Sequence, residues 1–255
     1  MNVTVIENFP TAMVHYFRRA RELGINPRET KLRLVSAIAE TWAEPYRQRI
    51  ESEYGIPFLL NPIYGSAEAG AVAAACEEGG GMHLFLDYFI PEIIDPETMS
   101  ILGPGEQGEL VVTALTAEAV PLIRYRTGDI AAILPYQPCP CGRTHPKMSP
   151  IKGRVAHIVK IHGKKVFPID VEEIIANISG LGEEYQIIID KPGELDRLKV
   201  KVEYNPEVKD VKALQNRVGG MISQGLGIES EVELVPMGAI PRAVAGRAPR
   251  VIKTY

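Results

Sequence analysis

The spacing of apolar residues changes character along the chain. Ala12, Val14, Phe17, Ala20 and Leu23 recur near a 3.6-residue period and are followed by Gly24 and Pro27, which predicts a helix of about four turns with stop signals in place. The apolar run "LRLVSAIA" reads as a buried strand. Trp42 to Tyr54 reads as a second, amphipathic helix closed by Gly55, with Trp42 in the core, and "IPFLLNPIYG" as a strand running into a loop. Helices alternating with strands predict α/β layering.

From Met82 to Leu134 the helical period disappears. "MHLFL", "FIPEII", "GELVVTALT", "PLIRY" and "DIAAIL" are short extended runs separated by Gly and Pro turns, the pattern of a mostly antiparallel, β-rich unit. After Gly153-Arg154 the runs "AHIVKI" and "KKVF" flank His162-Gly163 as a hairpin. A helix from Pro168 to Ile178 follows, then strands "EYQIIID" and "RLKVKVEY", a helix from Val208 to Met221 and a last strand "ESEVELV". That order predicts a small ferredoxin-like α+β domain. The expected division is therefore 1–154, an α/β part with an antiparallel β-rich end, and 155–255, the α+β domain. No internal repeat or low-complexity segment interrupts either part.

Composition narrows the classes. The 255 residues are 45% hydrophobic and 24% charged, with a formal net charge of -4 from 32 acidic and 28 basic side chains mixed along the chain. Ordinary globular packing is expected, and nucleic acid is not the expected partner. No apolar stretch approaches the roughly 20 residues that cross a bilayer, and the first residues lack a secretory layout. The expectation is a cytoplasmic protein, in which disulfides are unusual.

Four strings carry candidate chemistry. In "YGSAEAG", Gly65 permits a tight backbone and Glu68 offers the hard oxygen that Mg2+ prefers, although a strand-end turn with a solvated glutamate has the same sequence. In "PLIRYRTGDI", Arg124 and Arg126 are expected on one face of a strand, and Asp129 at its end suits a ribose diol or a surface ion pair. "GRVAHIVKIHGKKVFP" is a basic hairpin with glycine at its tip, able to bring backbone close to a ligand. "IPRAVAGRAPRVIKTY" is a cationic tail suited to developing negative charge on a polyphosphate, or a plain basic end.

In order and spacing these strings resemble the nucleotide-handling motifs of the adenylate-forming, AMP-binding enzymes, and the text between them is most similar to the phenylacetate-CoA ligase group. The resemblance covers nearly the whole chain, including "IPEIIDPETMSILGPGEQGELVVTALTAEAVPLIRYRTGD" and "KIHGKKVFPIDVEEII". It implies that a carboxylic acid attacks the α-phosphate of Mg-ATP to give an acyl adenylate and pyrophosphate. The thiol of coenzyme A then displaces AMP, the small domain rotating between the steps. On the matching positions, Glu68 is implied as the magnesium carboxylate, Tyr64 and Gly65 as neighbours of the adenine, Asp129 as the ribose ligand with Arg154 beside it, and Gly163 as part of the thiol tunnel. Arg247 takes the place of the tail's catalytic cation.

The sequence also departs from that pattern. Ala67 stands where a phosphate-bonding threonine or serine precedes the glutamate, and Ala156 where an aspartate or lysine forms the hinge. Arg247 replaces a lysine, keeping the charge but not the point-like geometry of an ammonium. No Ser/Thr/Gly-rich phosphate loop precedes "IENFPTAMVHYF", so the chain is expected to begin part-way through the large domain. That start would leave apolar surface for self-association or for an N-terminal partner.

The stretch "CPCGRTHP" holds Cys139, Cys141 and His145, and the third cysteine, Cys76, lies seven residues before His83. One residue between the cysteines is unlike the redox spacing. Cys76, His83, Cys139 and Cys141 make a Cys3His set of the structural zinc type, with His145 as a rival for the nitrogen position. A similar cysteine-rich insert in one branch of the phenylacetate-CoA ligase-like proteins points the same way. His15, His157 and His162 have no such spacing. The expected function is an AMP-forming ligase of an aryl or related acid with coenzyme A, using ATP, Mg2+ and a structural Zn2+. The alternative is a non-catalytic, zinc-braced remnant that binds a nucleotide or a protein.

Overall fold

A computed structural model describes residues 3–241 and 249–255. Along the chain run β1 (Val5–Asn8), α1 (Pro10–Glu22), β2 (Leu34–Ala37), α2 (Glu44–Tyr54), β3 (Phe58–Leu60), β4 (Ile63–Ser66), β5 (Gly70–Ala75), β6 (Met82–Leu84), β7 (Phe89–Ile94), β8 (Gly108–Ala114), β9 (Tyr125–Ala131), β10 (Lys147–Met148) and β11 (Gly153–Arg154). There follow β12 (Val159–Ile161), β13 (Lys164–Val166), α3 (Pro168–Ile175), β14 (Leu181–Ile189), β15 (Leu198–Tyr204), α4 (Val211–Leu226), β16 (Ser230–Pro236) and β17 (Val251–Lys253). Among the described residues no helix is long and apolar enough to cross a membrane.

Contacts divide the chain into two compact units, one of Ser36–Thr41 and Leu59–Ala156, the other of Met1–Val35, Trp42–Phe58 and His157–Tyr255. The step at 156/157 lies two residues from the boundary expected at 154/155, but the unit beyond it also gathers two early stretches. Glu172 on α3, only 5% exposed, accepts a hydrogen bond from the Ala43 N–H just before α2 at 2.9 Å. Arg18 on α1 pairs with Glu183 on β14. Arg250 pairs with Glu184 at 2.7 Å and lies 4.5 Å over the Tyr185 ring. Burial pushes the Glu172 carboxyl above the usual range, against the pull of Arg250 and the Ala43 N–H.

Local sequence explains the elements of this unit. Proline opens α1 and α3 at their first residue, where a missing N–H costs nothing. Asp210 caps α4 by accepting from the Ala213 N–H, and Gly227 ends it in the left-handed conformation. Phe17, Trp42, Tyr46, Tyr54 and Phe58 bury an aromatic cluster, with Phe17 and Tyr54 centroids 5.1 Å apart. In the later part of the chain, Val171, Ile175, Val218 and Ile222 from α3 and α4 share a core with Ile187, Val200 and Val202 of β14 and β15. The sheet order is β16-β15-β14-β17, with β14 and β15 antiparallel and both outer pairings parallel. The expected order of strands and helices is present along the chain. In space, however, the hairpin β12–β13 forms a two-stranded sheet of its own, and β17 lies beside β14.

The other unit is two four-stranded antiparallel sheets, β10-β6-β5-β4 and β11-β9-β8-β7. Tyr64, Val72, Met82 and Leu84 from the first share one core with Ile93, Leu110, Val112 and Ala131 from the second. Two strand predictions are corrected here. "IPFLLNPIYG" is two strands, because Asn61 has φ +44° and Pro62 follows it. "PLIRY" and "DIAAIL" give way to the single strand β9, because Arg124 has φ +47° and leaves extended geometry.

Glu172→Ala removes the acceptor of a buried N–H, so stability should fall by about 1–3 kcal/mol, the usual cost of an orphaned buried donor. Glu172→Gln keeps an acceptor oxygen and should recover part of the loss. Denaturant midpoints of the three proteins check this.

Candidate functional site

The first cluster forms where β8 and β9 fall out of register. Glu109 pairs with Ile130 and Val111 with Arg126, so Leu110 alone faces Thr127, Gly128 and Asp129. The bulged backbone needs other partners. The Thr127 hydroxyl donates to the Leu110 carbonyl at 2.8 Å and accepts from the Asp129 N–H at 3.1 Å. Arg154 Nη2 donates to the Thr127 carbonyl at 2.9 Å. Gly128 has φ +74°, a backbone conformation that favours glycine, and Arg154 Nη2 lies 3.3 Å from where a Cβ would be.

Asp129 leaves this turn with one carboxylate oxygen at 3.0 Å from the Tyr64 hydroxyl and the other at 3.1 Å from Arg154 Nε. Arg154 sits opposite Asp129 in the β9–β11 register. Burial, followed by the Asp129 charge, pushes the Tyr64 hydroxyl well above its ordinary range, so it stays a proton donor. A carboxylate has about four lone-pair positions, which leaves Asp129 able to accept further hydrogen bonds. The expected pairing of Arg124 and Arg126 on one strand face is not formed. Arg124 lies before β9 and pairs with Glu92 at 3.1 Å, and Arg126 pairs with Glu109.

Glu68 lies in the turn from β4 to β5. Gly65 makes that turn possible, because a Cβ there would meet the Gly70 carbonyl oxygen at 2.0 Å. The Glu68 carboxyl is exposed and held below the usual range by its own backbone N–H and by Ser66, with Tyr125 also bonded to it. Beside it is a half-open pocket of about 350 Å3 whose lining includes Ala69, Phe85, Tyr88, Ala114 and Leu122. Tyr64, Asp129, Arg154, Tyr125 and Glu68 thus make a continuous polar edge ending at an apolar hollow.

The second cluster is Cys76, His83, Cys139 and Cys141, whose ligand atoms all lie within 4.8 Å of one another. Cys76 and Cys139 sulfurs are 3.7 Å apart, and Cys141 Sγ is 3.4 Å from His83 Nε2. A tetrahedral zinc with bonds near 2.3 Å to sulfur has S···S edges of about 3.8 Å, so the donor set fits that ion in number, type and spacing. His83 Nδ1 lies 2.8 Å from the His145 carbonyl oxygen, which leaves Nε2 to face the sulfurs. The His145 ring points instead to Asp87 at 3.5 Å.

Gly163 is at the tip of the β12–β13 hairpin in the other unit, with φ +76° and open space where a Cβ would be. Its N–H donates to Glu194, and His162 Nε2 lies 2.8 Å from the Asp196 carbonyl oxygen. Arg247 lies outside the described residues. Tyr125, Thr127 and Glu109 take part in the first cluster without having been singled out as candidates. Glu109 carried a signal, since it is a lone acid in the apolar run "GELVVT".

Residues 163–254 match the model of the AMP-binding enzyme C-terminal domain. The phenylacetate-coenzyme A ligase of Thermus thermophilus is 35% identical over 252 residues, covering 91% of this chain and 56% of that protein. Its counterpart from Aromatoleum evansii is 36% identical over 252 residues, covering 95% and 56%. A crystal structure of a 2-hydroxyisobutyryl-CoA ligase in its postadenylation state, with an acyl-AMP bound, is 26% identical with a TM-score of 0.85. It covers 100% of this chain and 55% of that one. The chain is thus similar to the AMP-forming ligases, through the C-terminal domain matched at residues 163–254 and through relatives aligned along most of its length. It matches the C-terminal part of the phenylacetate-CoA ligases and spans about half their length.

The thiols of the second cluster differ in acidity. The Arg143 N–H, with a further bond from Cys139, lowers Cys141 to about 6. Cys139 is raised: the Cys141 N–H pulls it down, but burial and its donation to Cys141 outweigh that. In chelator-treated protein, alkylation of Cys141 should therefore rise through a midpoint near 6, while Cys139 reacts only at higher pH. Pulsed iodoacetamide labelling with peptide mapping reads both rates.

Proposed function

We propose that this chain is the nucleotide- and thiol-handling part of an AMP-forming ligase that joins an aryl or related carboxylic acid to coenzyme A. The observation that carries the reading is the Asp129 carboxylate, held between the Tyr64 hydroxyl and Arg154 on a fastened turn. In this reading Asp129 accepts from the ribose hydroxyls of ATP and AMP, and Arg154 neutralises the carboxylate. Tyr64 and Gly65 border the adenine. The acid's hydrocarbon enters the pocket with Phe85 and Tyr88, next to Glu68.

Glu68 has the exposed, ionised oxygen that would hold Mg2+, an ion that otherwise keeps phosphate and water ligands. Bound there, Mg2+ would offset phosphate charge as pyrophosphate leaves. Gly163, with open space among the described residues where a Cβ would be, borders the thiol's approach. Arg247 would supply the cation for the α-phosphate and the acid. Cys76, His83, Cys139 and Cys141 hold a structural Zn2+ that braces β5 and β6 against residues 135–146, away from the chemistry. The proposal further divides the chain into a large-domain part, 1–154, and a C-terminal domain, 155–255, and includes a cytoplasmic location.

A second reading is favoured by Ala67, which carries no hydroxyl for a phosphate beside Glu68. In it the chain binds a nucleotide or a protein without turnover. Acid-dependent release of pyrophosphate from ATP separates the two. Release by the chain alone, or with the N-terminal half of a relative added, supports the ligase. Nucleotide binding with no release under either condition sinks it, and Arg247→Lys should raise any release observed.

For the metal, elemental analysis should find one zinc per chain, lost in Cys139→Ser with a drop in thermal stability. A metal-free protein of equal stability would refute the zinc assignment.

A further inference from the structure

The bulge that carries Asp129 has one more fastening, made by a buried charge. Glu109 on β8 is 2% exposed, amid Leu110, Val111 and Val112, which are 1% exposed or less. A strand built only for packing would put an apolar side chain there, because burying a carboxylate is costly unless it is fully bonded. One Glu109 oxygen accepts from Arg126 Nε at 2.9 Å and also from Nη2, so two charged donors hold that atom. The other oxygen accepts from the Gly128 N–H at 3.1 Å.

That N–H belongs to the residue immediately before Asp129. Between the paired residues Glu109 and Val111, β8 offers the bulge only the Leu110 carbonyl, and the Thr127 hydroxyl takes it. The Glu109 carboxylate therefore stands in for a missing ladder acceptor. It does so at a glycine with φ +74°, a backbone free to swing unless it is held. A small rotation about Gly128 moves the Asp129 carboxylate away from whatever it binds.

We propose that Glu109, oriented by Arg126, is a positioning residue for Asp129, and that this buried pair sets how strongly the site distinguishes a ribonucleotide from its deoxy counterparts. The inference rests on Asp129 as the ribose ligand. The selectivity comes from a carboxylate held in register with two hydroxyls, and a carboxylate free to swing gains little from either.

Calorimetric binding of AMP and of 2′,3′-dideoxy-AMP tests it, on the full chain as wild type, Asp129→Asn and Glu109→Gln. Wild type should prefer AMP and Asp129→Asn should lose the preference. Glu109→Gln should lower the affinity ratio about fivefold, the step from a charge-assisted to a neutral hydrogen bond, with dideoxy-AMP affinity nearly unchanged. A purely structural role would weaken both nucleotides in proportion, and that result overturns the inference. So does a Glu109→Gln ratio equal to wild type while Asp129→Asn loses its preference, an outcome that leaves the ribose reading intact. A wild type without preference overturns both. Should Glu109→Gln not fold, Arg126→Gln, altered at a part-exposed side chain, reads the same ratio. A fall of about twofold is expected, and an unchanged ratio again overturns the proposal.

Discussion

A carboxylate can serve a bound pair of hydroxyls only while its own backbone is held still, and Asp129 sits on a stretch that has left its sheet. One residue of β8 faces three of β9, so the usual ladder cannot hold the turn. Side chains replace it: the Thr127 hydroxyl bridges within the bulge, and Arg154 reaches the Thr127 carbonyl from β11. Other features of the cluster follow from that need. Gly128 takes the positive φ that favours glycine, and Arg154 lies opposite Asp129 in register. Tyr64 completes the hold on the carboxylate from β4, a strand of the other sheet. The shared apolar core between the two sheets is what brings β4 within reach of β9.

Much of this was legible in the sequence because it rests on local signals. "YGSAEAG" and "RTGD" mark turns through glycine, and extended apolar runs between Gly and Pro turns located β7 and β8 closely. Where the reading slipped, a single backbone angle decided. Leu122 and Ile123 look like strand residues, but Arg124 has φ +47° and Ile123 is 79% exposed. No hydropathy pattern contains that turn. β17 escaped notice because its stability comes from parallel pairing with β14, more than 60 positions earlier, rather than from any period of its own. The early stretches that join the later unit were illegible for a related reason. Their attachment runs through single polar contacts such as Ala43 to Glu172, which leave no periodic trace.

The cysteine cluster shows the opposite balance. Counting three cysteines and weighing ligand types pointed to the same four residues that the fold brings together, because the chemistry of a soft-ligand site admits few combinations. What counting left open was which histidine faces the sulfurs. In the structure, β6 directs the His83 ring at them, while residue 145 offers its backbone carbonyl to the far side of that ring. The charge nearby is balanced as well. Arg143 is bonded to Cys141, and Lys147 to Cys139 and Cys76, and the thiols hold both cations above their ordinary ranges.

Set side by side, the groups suited to a nucleoside and those suited to phosphate differ in how firmly they are held. On the nucleoside side, Tyr64, Asp129 and Arg154 satisfy one another, and the backbone beneath them is bonded. On the phosphate side, Glu68 is exposed at a turn, and the Ala67 side chain beside it has no hydroxyl to offer a phosphoryl oxygen. Preorganised groups favour binding whether or not chemistry follows, whereas transfer needs donors fixed where charge develops. Within these two sheets, the Tyr64, Asp129 and Arg154 cluster is therefore the firmly held part and Glu68 the exposed one.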